Sequence, residues 1–408
     1  RRLSPNWRGW TLAVTAADGE LEPAMAQALT EWKRIREHGF TQTELDRQKV
    51  SMLRQADTRF KDRENQRSGM LARRMTTVFQ GRSILPGPEW TLETYQELLP
   101  TIELSELQAV VDEVDFERTD SRLVMTNSPE REGLPLPTRE EMEGALATAA
   151  AAEVQPWVDT TREEPLIAAL PEPGRVVDEQ YDEDLELTTW TLSNGVTVLV
   201  KPTDFNEDTF QFSSFSPGGS SLGASPQEIS ESLAAFFVDA GGVGEFDAIE
   251  LQKWLTGKIA RSRATIGQFE EGFSGSGSPD DLETVLQLVY LQATAPRRDE
   301  AAFDGVIERF STYFENRSLD PNQVYSDSLT VILFDNHPDA QPLTADELRS
   351  ADLDRAFAFY EDRFEDLDDL VMVFVGALDV DALRPLAEQY LATLPATDRE
   401  ETWRDNGM

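Results

Sequence analysis

Residues 186–244 constrain the fold of this chain more than any other stretch. Two β-rich runs, residues 188–192 and 196–200, lie on either side of Asn194 and Gly195. Asn-Gly between alternating apolar runs predicts a β-hairpin with a type I′ turn, because that turn requires positive φ at both central residues. The stretch therefore indicates a sheet that begins with two adjacent antiparallel strands.

A third strand and an amphipathic helix are predicted directly after this hairpin. The strand covers Phe210 to Phe215 and ends at a Pro-Gly-Gly turn. The helix covers Pro226 to Ala240, with Ser225 as a suitable cap and Pro226 at the first position, which favours proline. Its apolar stripe consists of Ile229, Leu233, Phe236 and Phe237.

The rest of the chain alternates between strand and helix patterns. In the C-terminal part we predict strands at residues 259–266, 269–275 and 370–375, and helices at residues 247–256, 298–316, 321–334 and 382–394, with another beginning at Ser278. In residues 1–148 we predict strands at Trp10–Ala17 and Ser121–Asn127, helices at residues 20–37 and 41–80, and short helices within residues 89–114. An acidic, proline-rich stretch at residues 149–185 is typical of a linker. We therefore expect an α+β fold of two domains joined by this linker.

The quoted runs carry a family resemblance. The sequence L-S-N-G-V-T-V-L-V-K-P-T, followed by P-G-G-S-S and a helix, resembles the start of each homologous half in the pitrilysin/insulinase family of zinc metallopeptidases. In the active half of that family, this helix contains the inverted zinc motif His-x-x-Glu-His. The corresponding residues here, Ala234 to Val238, include no zinc ligand. The resemblance therefore implies a non-catalytic half, with antiparallel sheets and helices packed on one face.

The resemblance covers nearly the whole chain and implies how it is organised. Residues 1–148 resemble the C-terminal part of the family's second domain, and residues 149–185 its connector between halves. Residues 186–398 resemble the third domain, an inactive homologue of the catalytic domain. We expect residues 399–408 to be a connector to a fourth domain that this chain does not contain.

The composition is strongly acidic. The formal net charge is −39 and the pI is about 4.3, which disfavours nucleic acid as a partner, because phosphate binding requires a basic face. The excess of acids and the scarcity of lysine suggest a halophilic protein, with an ordinary acidic protein from a GC-rich genome as the alternative. No apolar run is long enough for a membrane span. The absence of cysteine excludes disulfides and thiolate metal sites.

Candidate catalytic residues are scarce. The two histidines, His38 and His337, are far apart in sequence and fit a helix end and a turn, so structural roles are favoured over metal or base roles. Phe236 and Phe237 fit a core stripe, which is the common role of such residues. The alternative is that they line an enclosed peptidase chamber and bind substrate, as the family resemblance allows.

The resemblance implies a function for a longer parent protein. The parent is expected to be a zinc-dependent metalloendopeptidase that hydrolyses peptides between two halves, with zinc bound in the other half and a periplasmic or cell-envelope location. This part would have no catalytic residue and no cofactor, and it would contribute chamber wall and substrate contacts. Its partners would be the peptide substrate and a catalytic half, in the same chain or on a separate subunit. The alternative is a non-enzymatic scaffold or peptide-binding subunit that partners a separate catalytic chain.

Overall fold

The chain folds as two compact units. The structure, a computed structural model, describes residues 1–408 except 1, 5, 6, 82, 83, 115, 117–121, 129–132, 135, 161, 163, 225–227, 318, 406 and 408. The first unit comprises Arg1–Lys49 and Gln96–Thr160, and the second comprises Val50–Tyr95 and Thr161–Met408. No helix within the described residues is both long and apolar enough to cross a membrane.

The part before residue 160 is mainly helical. Its described elements are β1 (Arg2–Ser4), β2 (Trp7–Arg8), α1 (Leu21–His38), α2 (Gln42–Lys61), α3 (Ser68–Phe79), α4 (Pro88–Leu98), α5 (Leu104–Asp112) and α6 (Arg139–Ala151). Helix α1 packs on α6 in the first unit. Lys33 Nζ donates hydrogen bonds of 2.7 Å to the carbonyls of Ala150 and Ala152, which satisfies the C-terminal end of α6.

The second unit is built around a seven-stranded sheet. Its elements after residue 160 are β3 (Val176–Asp182), β4 (Leu187–Leu192), β5 (Thr197–Pro202), β6 (Phe210–Pro217), α7 (Ile229–Ser232), α8 (Ala234–Asp239), α9 (Ala248–Trp254), β7 (Ala260–Ile266), β8 (Glu270–Gly277), α10 (Leu282–Thr294), α11 (Glu300–Arg317), α12 (Pro321–Leu333), α13 (Ala345–Arg349), α14 (Leu353–Phe364), β9 (Val371–Gly376) and α15 (Val380–Leu386). The strand order is β3-β4-β5-β9-β6-β8-β7. Only the β5–β9 pair is parallel among the pairs of this sheet that the structure describes.

One face of this sheet is buried against helices. Trp190, Val198, Phe210 and Phe374 alternate along their strands with residues on the other face, and all four are fully buried. Helix α10 packs on β7 and β8 and adds its own buried side chains to the same core. The predicted α+β fold, with a mainly antiparallel sheet and helices on one face, is confirmed.

The predicted hairpin forms, but its turn differs from the prediction. The N–H of Leu192 donates to the carbonyl of Val196 at 2.8 Å, so the loop has three residues rather than two. Gly195 has φ +95°, whereas Asn194 keeps a negative φ, which contradicts a type I′ turn. Asn194 instead donates from Nδ2 to the carbonyls of Leu391 and Leu394, at 2.9 and 3.1 Å. This side-chain anchor to a distant part of the chain favours the longer loop.

Most predicted elements of the second unit are present. The strands predicted at residues 259–266 and 269–275 form the antiparallel pair β7–β8. The predicted helix at residues 247–256 is α9, and Asp247 caps it by accepting from the N–H groups of Ile249 and Glu250. The closing helix begins at Val380 rather than Ala382 and ends in a π-helical turn at Ala387–Leu391.

Two predicted strands of the first unit are wrong. Residues 10–17 and the described residues 122–127 have no strand structure. Trp10, Leu12 and Val14 are exposed, and no described strand pairs with this run. A β-strand is stabilised by pairing with a neighbour, so a suitable pattern without a partner remains irregular.

Two predicted helices are interrupted. The helix predicted for residues 41–80 ends at Lys61, and a 3₁₀ turn and an extended Arg67 separate it from α3. Asp62 accepts a hydrogen bond from the N–H of Glu207 at this break, which fixes the chain outside the helical path. The helix predicted for residues 226–240 is divided at Leu233 into α7 and α8. Its predicted cap, Ser225, and its first residue, Pro226, lie outside the described residues.

Candidate functional site

The family resemblance aligns residues 234–238, within the segment α7–α8, with the zinc motif of the active half. Ala234, Phe237 and Val238 of α8 are buried in the core of the second unit. The Phe237 ring lies edge-on to Phe303 with centroids 5.0 Å apart, and the half-buried Phe236 ring lies edge-on to Phe310 at 5.1 Å. Core packing therefore accounts for Phe237, while Phe236 retains an exposed part. The role of either ring in a chamber wall stays a prediction.

Residues 234–238 do not fit a zinc ion. Alanine, phenylalanine and valine have no side-chain donor atom for a metal. In the part of the chain that the structure describes, no group of three or more His, Asp or Glu side chains is arranged to hold a metal. We therefore derive no catalytic step through zinc on this chain.

Both histidines have structural contacts at chain turns. His38 Nε2 lies 3.0 Å from the carbonyl of Val154, next to the end of α1. His337 Nδ1 accepts a hydrogen bond of 3.2 Å from the N–H of Asp339 and so caps the short turn Pro338–Ala340. These contacts agree with the helix-end and turn positions predicted from sequence.

The carboxylate of α7 is already occupied. Glu231 of α7 is buried, and its Oε1 accepts hydrogen bonds of 3.0 and 2.9 Å from the guanidinium of Arg355. Its Oε2 accepts from the N–H of Ala224 at 2.7 Å. A carboxylate fixed by both oxygens joins α7 to α14 and has a structural role. Sequence reasoning missed this pair, because nothing in the local pattern links residues so far apart.

A shallow cleft lies between α8 and the edge strand β7. Its volume of about 10 Å³ has room for about one water molecule, and it opens to solvent. Its lining residues are Ala235, Val238, Asp239, Gly242, Val243, Ala264, Gln292, Pro296 and Tyr360. Gln292 holds the strand in place, because its Nε2 donates to the carbonyl of Ser262 at 3.0 Å and its Oε1 accepts from Ser262 Oγ at 2.6 Å. Buried Tyr360 donates to the carbonyl of Gln292 at 2.9 Å.

The two edges of the sheet differ in charge. Strand β3, at one edge, contains a register irregularity and mostly exposed residues that include Asp178 and Glu179. Strand β7, at the other edge, exposes Arg261 and Arg263. An edge strand beside a cleft is suited to accept an extended peptide as an additional strand.

A second polar group, which could not be predicted from the sequence, surrounds Glu271 near the N-terminal end of β8. The Glu271 carboxylate is 2% exposed, accepts a hydrogen bond from the N–H of Gly219, and lies 3.8 Å from the guanidinium of Arg363. Burial raises the pKa of Glu271 to about 7, against the lowering effects of that hydrogen bond and of Arg363. Arg363, also buried, donates to Glu401 at 2.9 Å. The network holds the C-terminal segment against the domain.

Known proteins resemble this chain over most of its length. No protein-family model matches it. The "Zinc protease PQQL-like" protein of Arabidopsis thaliana is 26% identical over 372 residues, which cover 89% of this chain and 35% of that protein. The protein of Escherichia coli named "Probable zinc protease PqqL" is 22% identical over 420 residues, covering 97% of this chain and 42% of that protein.

Two solved structures share the fold. The crystal structure of the periplasmic protease PqqL from Escherichia coli matches 96% of this chain and 43% of its own, with a TM-score of 0.53 and 18% identity. The structure of a mutant of the ferredoxin protease FusC, in complex with Arabidopsis ferredoxin, also matches 96% of this chain and 43% of its own, with a TM-score of 0.57 and 16% identity. At this level of identity, the likeness establishes the fold.

The matches cover only part of each relative. The chain spans less than half the length of the relatives it matches, and its α8 lacks the residues of a zinc motif. The runs in residues 186–244 predicted this relationship. The chain is therefore a homologue of PqqL-like zinc proteases of the pitrilysin/insulinase family, and it resembles a non-catalytic half.

Proposed function

We propose that this chain is the non-catalytic part of a zinc-dependent metalloendopeptidase, and that it supplies chamber wall and substrate contacts. One observation carries the proposal: residues 234–238, which the resemblance aligns with the family's zinc motif, have apolar side chains and offer no metal ligand. Zinc and the general base would then belong to a catalytic half, in the same polypeptide or on a partner subunit. The parent would be periplasmic or envelope-associated, like the Escherichia coli protein.

The domain assignment is part of the same proposal. Residues 1–148 would be the C-terminal part of a second domain, residues 149–185 the connector between halves, and residues 186–398 the third domain. Residues 399–408 would lead into a fourth domain. The confirmed fold of the second unit, with its central sheet, supports the assignment of the third domain.

The substrate contacts are proposed at the cleft between α8 and β7. An extended peptide can add to the edge of β7, with Arg263 next to its acidic side chains and the exposed part of Phe236 next to its apolar ones. Phe237 would support Phe236 from the core. Binding here would orient the peptide without taking part in bond cleavage.

Steady-state kinetics of the parent enzyme test this role. Arg263→Glu is expected to raise KM for an acidic peptide severalfold, because it removes an attractive charge, and to leave kcat unchanged. Arg175→Glu, which reverses an exposed arginine outside β7, is the control and should change neither constant. A fall in kcat at constant KM, or no effect of Arg263→Glu, contradicts a substrate contact at this edge.

The second candidate is a scaffold or peptide-binding subunit without proteolytic activity in its complex. The absence of metal ligands from residues 234–238 is compatible with it. A His-x-x-Glu-His motif in the same reading frame, or on a chain that purifies with this one, favours the protease. A complex that binds peptide at β7 but contains no such motif favours the scaffold.

A further inference from the structure

Helix α12 presents an unusual apolar surface to solvent. None of its residues is buried, and Tyr325, Ile332 and Leu333 are each at least 69% exposed. Together with Leu329, these residues follow the spacing i, i+4, i+7 and i+8, which places them on one face of the helix. We refer to these four side chains as the α12 face. Phe334, directly after the helix, is also exposed.

The domain's own core does not require the α12 face. The hydrophobic core of the second unit includes residues from α10, α11 and α14 but no described residue of α12. Asp320 caps the helix by accepting from the N–H of Asn322 at 2.9 Å, and Arg317 of α11 forms an ion pair with Asp327. Isolated helices of this length are marginal in water, so polar contacts alone leave α12 poorly stabilised. A contiguous exposed apolar patch of several hundred Å² typically marks a binding surface.

The charges around the α12 face restrict what can cover it. Asp320 and Asp335 lie beside the two ends of the helix, Asp327 within it is paired with Arg317, and α12 itself contains no Lys or Arg. Pairing α12 with its copy in a second molecule would bring acids close to acids between chains that each have a net charge of −39. The complementary surface is therefore apolar with basic residues at its rim, which disfavours a symmetric homodimer.

We propose that the α12 face is the docking surface for the catalytic half of the protease. This inference rests on the proposed function, which requires such a half. The relatives are more than twice as long as the part that this chain matches, so they contain ample sequence for one. The docked surface of the catalytic half is expected to combine apolar side chains with Lys or Arg.

Site-specific photo-crosslinking in the native host tests the proposal. The photoreactive residue p-benzoylphenylalanine replaces Ile332 in one protein and Ile249 of α9 in a matched control; these isoleucines are 73% and 67% exposed. Mass spectrometry of the crosslinked peptides is expected to show at least tenfold more linkage from position 332 to peptides of the half that contains His-x-x-Glu-His. Linkage only to the expected fourth domain, to a second copy of α12 or to substrate peptides, or no linkage, overturns the proposal.

A substitution provides an independent measurement. If the catalytic half is a separate polypeptide, Ile332→Asp is expected to reduce its co-purification with this chain at least tenfold. If both halves belong to one chain, the substitution is expected to reduce the protection of α12 from hydrogen exchange at least tenfold. Ile249→Asp should not. Both variants should keep the thermal unfolding midpoint of the isolated chain, because neither side chain is buried. If the preparation contains the motif and cleaves peptide while position 332 remains unlinked, only the docking inference fails. If it contains no such motif, the proposed function fails.

Discussion

Glu271 shows how one residue links the sheet to the C-terminal segment. Its carboxylate is buried beside Arg363, which also binds Glu401 and forms an ion pair with Asp362. Gly218 makes this geometry possible: its φ is +157°, and a Cβ there would lie 2.8 Å from Glu271 Oε1. One arginine thus faces three carboxylates, and Glu271 is the one held furthest from water.

The raised pKa of Glu271 predicts a pH dependence of stability. Between its ordinary value of 4.5 and about 7, folded Glu271 holds a proton that the unfolded chain has released. Stability should therefore fall as pH rises through this window, by about 3 kcal/mol for the full shift. Glu271→Gln should remove that slope, because glutamine does not ionise. Urea unfolding at pH 5, 6 and 7 measures it.

Glu270→Gln is the matched control for this experiment. Glu270 is the exposed neighbour on the same strand, and its substitution should leave the pH slope as in the unmodified chain. If the two variants show equal slopes, Glu271 does not titrate in the folded protein as described here.

Within the second unit, a group of charged side chains joins the C-terminal part of α2 to Asp208 and Ser278. Asp208 is 2% exposed and accepts hydrogen bonds of 2.9 Å from both Thr58 Oγ1 and Lys61 Nζ. Arg54 lies 3.5 Å from the same carboxylate and also donates to the buried Ser278 Oγ at 2.7 Å. The sequence of this charged helix does not indicate which of its side chains form specific contacts. The structure shows that Arg54, Thr58 and Lys61 converge on Asp208.

Asp208→Ala is expected to destabilise the chain by about 3 kcal/mol or more, because it leaves two cations without their buried partner. Asp280 is the control, since it lies 3.7 and 3.5 Å from the same Arg54 and Lys61 but its side chain is 70% exposed. Asp280→Ala should change the free energy of unfolding little. Equal effects of the two substitutions, measured by denaturant unfolding, rule out Asp208 as the anchor of α2.

The elements predicted correctly are those whose signals are local. Asp247 caps α9 through N–H groups two and three residues away, and Gly39 ends α1 with φ +73°. The errors involve distant partners: residues 10–17 match a strand pattern but have no described strand to pair with. The absence of a His-x-x-Glu-His motif from residues 234–238 was visible in sequence. The pair Glu271–Arg363 was not, since the fold alone brings these residues together.

The whole molecule combines a large negative charge with few lysines. We propose that it is adapted to high salt, because a Debye length of ~3 Å at about 1 M salt screens the repulsion among its acids. The thermal unfolding midpoint should rise by about 10 °C or more between 0.1 M and 2 M KCl. A midpoint that is flat or falls over this range would favour an ordinary acidic protein.

The central claim is that this chain is the non-catalytic part of a zinc protease. The most direct test measures the zinc content and the peptidase activity of the purified chain in high salt, beside the longer parent or a reconstituted complex. We predict that the chain alone binds no stoichiometric zinc and cleaves no quenched fluorescent peptide, whereas the parent does both. Stoichiometric zinc together with cleavage by this chain alone would contradict the account.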